Sequence, residues 1–588
     1  MSMRRFAAVP PALLILAPLV LALFSIGRYA VNVPALDEWH LAEDLHAIYE
    51  GHEGPSDLWR QHNEHRMLFP RVALLTLAWM SGWNTVVEMY VSVGLLICIL
   101  AVWWRLYRAV RRAGLWTFVP IAWLILSPGQ WENVLTGWQL QFCLGVAAMV
   151  WAMFLLGRGT MAGFGAAALC AIVASYSFNN GLVAWPAGLI ALGLMRAPQG
   201  RVVRWAIFGV LATAIYYVGY VPAPNHPSPL EAFAHPFETL SFVLMNLGAP
   251  LAGGSLTLAA AVGVFVLALL VASLVRVWPH RGALLPLSGT TASLCGLLSV
   301  SLGSSLAIAI GRVGFHQPTW AISSRYVTIT ALGIAALYLL YLAGSPDSSV
   351  ETTPADARRL WPEWTDLRSM LLALTLVGEA ASVSWSLEAA TNLRAARMKE
   401  KYAVQTFLVQ PDDAFASPVD AAIVRKYGTF LQGQGWSVFR DPVSYVLLAS
   451  TDKGVPSGEI LPDRPVVQQM TCPVSTLTDL QILFATYKRK NTSLVKITLS
   501  EADRPLVERL LPGATLQDNG WLRISVLPPV ERCAGRELVL TISSPDAKPG
   551  NAVTVWTYPR YYKAAIISPR EKTYSGRVVG MSMNVGQR

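Results

Sequence analysis

Lysine is missing from the first two thirds of this chain; none occurs before Lys399. Charge is scarce throughout, at 14% of 588 residues, while 54% are hydrophobic. A soluble protein of this length would divide into several domains with far more surface charge. The formal net charge of +10 is not spread like a nucleic-acid-binding surface, and no nucleic-acid partner is expected. Most arginines fall in short loops between apolar runs, where they carry topology information instead. Cysteine is sparse as well, with six in all. Cys98, Cys143, Cys170 and Cys295 lie in apolar runs and read as small buried residues. Cys472 and Cys533 lie in the more polar C-terminal part; they would pair only in an oxidising compartment, and the sequence leaves their pairing open.

What is present is a series of apolar runs of about 18–25 residues, the length that crosses a bilayer. Arg4 and Arg5 precede the first, which runs to about Ala30. That run is too long for a signal peptide and no small-residue cleavage site precedes Asp37, so it reads as an uncleaved first span. Alternating arginine-rich and arginine-poor loops then predict eleven spans, near 10–30, 85–104, 114–127, 138–156, 161–178, 182–195, 203–221, 255–277, 284–311, 326–343 and 369–390. Two short apolar segments, 68–80 and 239–252, are expected at the membrane interface. The N-terminus falls in the cytoplasm and the C-terminus outside. The weakest step is Gly344–Asp366, kept inside because acids count little in this rule. From about Thr391 lysine appears and the runs shorten. Residues 391–465 read as a helical linker, with helical spacing over Ala421–Gln432. Residues 466–559 alternate with period two (LVKITLS, WLRISVL, ELVLTISS, AVTVWTY). The expected fold is therefore a polytopic α-helical membrane protein, residues 1–390, with a C-terminal extracytoplasmic antiparallel β-sandwich-like domain and a basic tail, 560–588.

The first outer loop, residues 31–71, departs from this background. Between Val31 and Leu68 it holds eight carboxylates against two arginines, and five of the nine histidines of the chain. Asp37 is placed to cap a helix Glu38–Glu50 stopped by Gly51, with Asp37, His40 and Asp44 on one face. An N-cap and a solvated face would explain isolated residues of this kind; a carboxylate pair just outside the first span invites a catalytic reading. The segment Gln61-His-Asn-Glu-His-Arg66 is the most polar cluster. As a helix from Ser56 it would set His62, His65 and Arg66 on one face and turn Glu64 away. A divalent metal could draw on His62, His65 and either Asp37 or Glu64, but the spacing is not HExxH. No metal ligand is therefore assigned, and His62, His65, Glu64 and His40 are expected to wall an acceptor site. Glu132 is a second outer acid, expected with them at the acceptor site, with a metal or a merely solvated position as the alternatives. Among outer cations, Arg325, Arg312 and Arg66 suit a phosphate, because guanidinium binds two oxygens at once. Glu379 lies inside the last span, where acids are costly and often functional. Trp436, Trp521 and Trp556 either pack in the outer domain or stack on sugar rings.

A first span followed at once by an Asp-Glu-bearing outer loop, about eleven spans, and an outer soluble domain resembles GT-C-type glycosyltransferases. That group includes protein O-mannosyltransferases and lipid A aminoarabinose transferases. Trp138-Gln-Leu-Gln141, Asn179-Asn-Gly-Leu-Val-Ala-Trp-Pro186 and Ser324-Arg-Tyr326 also look like segments of bacterial members of the group. The resemblance implies a polyprenyl-phosphate sugar donor and a cell-envelope glycan, lipid or protein acceptor. It also implies a bacterial inner-membrane location with a periplasmic C-terminal domain, and Asp37 as general base with Glu38 beside it. Two other classes stand against it: a lipid-linked sugar flippase, and a non-catalytic scaffold carrying a glycan-binding β-domain.

Overall fold

The computed structural model describes residues 10–52, 54, 56–110, 114–224, 226–277, 286–343, 365–405, 407, 415, 421–440, 446–447, 454–472, 474, 476–502, 504–559, 564–567, 577–579 and 581–585. The helices are α1 (Pro11–Tyr29), α2 (Trp39–Tyr49), α3 (Leu68–Ser81), α4 (Thr85–Val110), α5 (Val119–Ile125), α6 (Trp131–Leu135), α7 (Leu140–Gly157), α8 (Met161–Ser175), α9 (Ala184–Leu194), α10 (Gln199–Tyr217), α11 (Glu231–Ala234), α12 (Pro236–Gly248), α13 (Leu256–Val277), α14 (Gly289–Arg312), α15 (Ser324–Ala343), α16 (Thr365–Gln405) and α17 (Ala421–Gln434). The chain divides into two compact units. The first is Met1–Val31 with Ala47–Ala395; the second is Asn32–His46 with Ala396–Arg588. The acidic loop, continuous in sequence, is thus shared between them.

In the helical unit, six segments among the described residues are long and apolar enough to cross a membrane. They are α1, α4, Gly137–Gly157, Leu256–Val275, Gly289–Phe315 and α15. Others are too short: α9, with 11 residues, spans about 16 Å, half the thickness of a bilayer core. The expected span 114–127 is broken, and α5 keeps only 7 residues. Pro120 is confined to the first turn of that helix, and Ser127-Pro128-Gly129 opens a new 3-10 turn beyond it. The Gly344–Asp366 loop lies almost wholly outside the described residues. The expected last span and the start of the linker form one helix, α16, of 41 residues.

Packing within the unit is of the membrane kind, with backbones brought together at small residues. A Cβ on Gly289 would stand 1.8 Å from the Gly157 carbonyl oxygen, and one on Gly263 1.8 Å from that of Leu244. At the centre lies α15, in which every residue except Arg325 is buried. Peripheral helices turn bare aliphatic side chains outward, as at Leu13, Val210 and Val275, a covering that suits hydrocarbon better than water.

In the second unit, α2 buries Trp39, Leu41, Ala42 and Leu45. His46 meets Tyr427 and Phe430 of α17 at ring distances of 5.6 and 5.1 Å, and Asn32 donates to the Ser437 carbonyl at 3.1 Å. The strands among the described residues are β1 (Gln61–His62), β2 (His65–Arg66), β3 (Val446–Leu447), β4 (Val455–Pro456), β5 (Val466–Thr471), β6 (Thr476–Ala485), β7 (Leu494–Glu501), β8 (Arg504–Pro512), β9 (Gly520–Glu531), β10 (Glu537–Ser543), β11 (Thr554–Pro559), β12 (Ala564–Ile567), β13 (Arg577–Val579) and β14 (Met581–Val585). Five form a sheet in the order β12-β5-β10-β7-β8; the other runs β13-β11-β6-β14-β3, with β4 on β11 and β9 on β6. The two sheets share one core, in which Leu480, Ile482 and Phe484 meet Ile497, Leu499, Leu538 and Leu540. A disulfide joins Cys472 and Cys533, with Cα atoms 5.8 Å apart. The expected basic tail contributes β12, β13 and β14, and the rest of it lies outside the described residues.

Candidate active site

The candidate residues fall into three groups, one in the second unit and two in the helical unit. In the second unit the chain enters a 3-10 turn, Leu36–Glu38, and continues into α2. Glu38 accepts from the Ala35 N–H at 2.8 Å and is buried, closing the first turn. The reason is local: a carboxylate three residues on can fold back to an orphan N–H of the first turn. Asp37 is left half-buried beside Leu36, whose φ of 51° is rare for a branched side chain and marks strained backbone. On α2, Asp44 is buried while His40 is exposed and lies 3.8 Å from Glu43.

The second group is built on a hairpin. Residues 61–66 are not helical, as the Ser56 reading expected. They pair as β1 and β2, with His62 opposite His65 and Asn63 at a φ of 47°. Asparagine tolerates that left-handed turn, and it reverses the chain before a helix can start. Glu64, at the turn, faces inward rather than away. Its carboxylate forms an ion pair with Arg312 and lies 3.4 Å from His226 Nδ1 and 3.7 Å from His65 Nε2. His65 Nδ1 accepts from the Asn179 N–H at 3.2 Å, so in its neutral form the ring proton sits on Nε2 and points at Glu64. His226 Nδ1 also lies 3.1 Å from Arg312 Nη1; neutral it accepts from Arg312, protonated it donates to Glu64. Burial alone would raise the Glu64 pKa, but His65, Arg312, its own backbone N–H and His226 outweigh that and hold it at about 2.

This hairpin is where the three motif segments meet the loop. The Trp138 ring packs on His62 at 5.0 Å, Asn179 holds His65, and Tyr326 accepts from Arg312 Nε at 3.4 Å. Arg66 is occupied differently from the phosphate role expected of it. It is buried, and Nε, Nη1 and Nη2 donate to the carbonyls of Tyr216, Trp59 and Val218 at 3.2, 3.0 and 2.6 Å. Those of Tyr216 and Val218 end α10, so Arg66 serves as its C-terminal cap. Arg71 likewise donates to the carbonyls of Leu58 and Arg60.

The third group surrounds the start of α15. Glu132 Oε2 accepts from the Arg325 N–H at 3.0 Å and from Ser323 Oγ at 3.1 Å. Asn133 Nδ2 donates to the Arg325 carbonyl at 2.9 Å. Glu132 is thus a carboxylate cap on a helix N-terminus, the stabilising sign there. With its backbone fixed, Arg325 keeps its guanidinium partly exposed, Nε on Ser323 Oγ at 3.1 Å, Nη2 4.0 Å from Glu132 Oε1 and the side chain 43% exposed. Of the three arginines assigned to a phosphate, Arg312 pairs with Glu64, Arg66 caps a helix end and Arg325 pairs loosely with Glu132.

Among the described residues no three of His, Cys, Asp and Glu are grouped to hold a metal ion. His226, Ser323 and Asn133 were not singled out by the sequence. His226, within Pro222-Ala-Pro-Asn-His-Pro227, offered only its place in an outer loop as a signal. The chain matches no model of a known protein family, and no curated protein sequence is significantly similar to it.

Proposed function

We propose that this protein is a GT-C-type glycosyltransferase of eleven spans in a bacterial inner membrane, moving a monosaccharide from a polyprenyl-phosphate carrier to an envelope glycan, lipid or protein. The observation that carries the reading is Arg325. It is the one residue of a membrane-length central helix that is not buried, and it stands in the first turn, where helix dipole and guanidinium both favour a phosphate. Asp37 takes the proton of the acceptor hydroxyl as that oxygen bonds to the anomeric carbon. The bond from carbon to phosphate oxygen breaks, and the carrier leaves as polyprenyl phosphate. An outer, periplasmic position of the second unit accords with the arginine distribution and with the Cys472–Cys533 disulfide.

The test is to incubate purified protein with radiolabelled polyprenyl-phosphate sugars and an envelope acceptor extract, comparing wild type with Asp37→Asn. Loss of transfer in the variant is the expected result; full transfer by it removes Asp37 as base. The flippase reading draws on Glu379, buried in α16 with one oxygen held by Ser127 Oγ at 2.8 Å. Carrier crossing without transfer in reconstituted vesicles would favour it.

A further inference from the structure

The outward face of the seven-stranded sheet carries a row of side chains that the transfer reading does not use. In β6, Leu480, Ile482 and Phe484 are buried, and alternation turns Asp479, Gln481 and Leu483 to the other face. The β9 partners of those three are Ser525, Arg523 and Trp521. On the opposite side of β6, Val555 of β11 pairs with the buried Phe484 and is buried itself. The next residue, Trp556, therefore turns to the same face as Leu483. A single cross-strand row thus reads Trp521, Leu483, Trp556.

The two indoles are held differently. Trp521 stands 47% exposed. Trp556 Nε1 donates at 2.9 Å to Asn519 Oδ1, and Asn519 lies just before β9, on the far side of β6. To reach it the indole must lie across β6, flat on the sheet, instead of standing off it. Gly454 packs against that ring so closely that a Cβ there would come within 3.1 Å of it. The strands that carry the two tryptophans are about 9.5 Å apart, two strand spacings. The neighbouring row is polar and planar: Gln481, and Arg523 with Nη2 2.9 Å from Asp479 Oδ2.

We infer that this face is a carbohydrate-binding platform for a chain of neutral pyranose rings. Pyranoses present apolar C–H faces to aromatic rings and hydroxyl pairs at their edges. One indole standing off β9 and one lying over β6 offer apolar surface to successive rings, while the Gln481 amide and the Arg523 guanidinium of the next row meet the hydroxyls. The charge pattern selects among occupants. The Arg523 charge is cancelled by Asp479, so the face lacks the net positive charge that anionic lipid headgroups require. A peptide adding as a strand needs a free sheet edge, and these residues lie on a face. The inference does not depend on the transfer reading and would stand if that failed.

The experiment uses the full chain in detergent, titrated by calorimetry with maltohexaose, cellohexaose, mannohexaose and chitohexaose. At least one of the four is expected to bind. W521A should weaken it about tenfold, W521F should retain most of it, and the W521A/W556A double variant should abolish it. Unchanged thermal transitions in the variants separate lost binding from lost folding. Absence of binding by the wild type to all four oligomers overturns the proposal, as does equal binding by the double variant. A polarity-sensitive label on Trp521→Cys in a lipid nanodisc gives the other occupant its chance: a water-like signal supports the platform, and a hydrocarbon-like signal overturns it.

Discussion

Replacing Arg312 by Met should leave the Glu64 carboxylate in its buried pocket without its arginine partner. Removing one member of a buried ion pair costs about 3–5 kcal/mol, most of it the penalty on the charge left behind. An independent route gives a similar size. The Glu64 pKa stands at about 2 against an ordinary 4.5, which converts to about 3 kcal/mol of preference for the ionised form in the folded state. The second value includes the histidines, so the share of it belonging to Arg312 is below that total. The assay is equilibrium unfolding in mixed detergent–SDS micelles at pH 7 for wild type, R312M, E64Q and the double variant. R312M should lose about 3 kcal/mol and E64Q about 2. The double variant should lose clearly less than their sum, with a coupling of about 2 kcal/mol. Because the folded pKa is depressed, this contribution is complete above pH 4.5 and fades as pH falls toward 2. The gap between wild type and R312M should therefore narrow over that window. Additive losses, or a gap independent of pH there, would refute the reasoning.

Three shorter expectations follow from other parts of the chain. Arg66→Met strips donors from three buried carbonyls and should cost about 3 kcal/mol in the same unfolding assay; Arg66→Lys should recover less than half, since one ammonium cannot reach all three. Cys472→Ser with Cys533→Ser opens a crosslink between positions 61 apart and should destabilise the β region by about 4 kcal/mol, read as faster hydrogen exchange in β5–β10. If transfer is established, Arg325→Ala should lower kcat/KM about 100-fold and Arg325→Lys should recover part of it, because charge without the fork still attracts phosphate. An unchanged kcat/KM in the Ala variant would remove Arg325 from the donor site.

Sequence periodicity served best where a residue's environment is set by its immediate neighbours. The alternation in LVKITLS became β7 with Val495, Ile497 and Leu499 buried, and six of the apolar runs became helices of membrane length among the described residues. It served poorly where a partner lies far along the chain. Arg66 looked like a free outer cation because the carbonyls it caps are about 150 residues away. Glu64 was assigned to the wrong side because a helical period was laid over six residues that Asn63 turns into a hairpin. Asp37 and Glu38 were read as a pair, yet backbone geometry separates them into a cap and a half-exposed acid. Local turn chemistry at Asn63 was legible; the Glu64–Arg312 pairing across the fold was not.

The sharing of residues 31–71 between the two units has a consequence for biosynthesis. The ribosome delivers Asn32–His46 about 350 residues before Ala396 opens the remainder of the same unit. At about 5–20 residues per second, that is a wait of roughly 20–70 s. Throughout it, His46 lacks the rings of Tyr427 and Phe430, and Asn32 the Ser437 carbonyl, that they later meet. A chain truncated near residue 395 would leave those contacts unmade and the early segment without the rest of its unit.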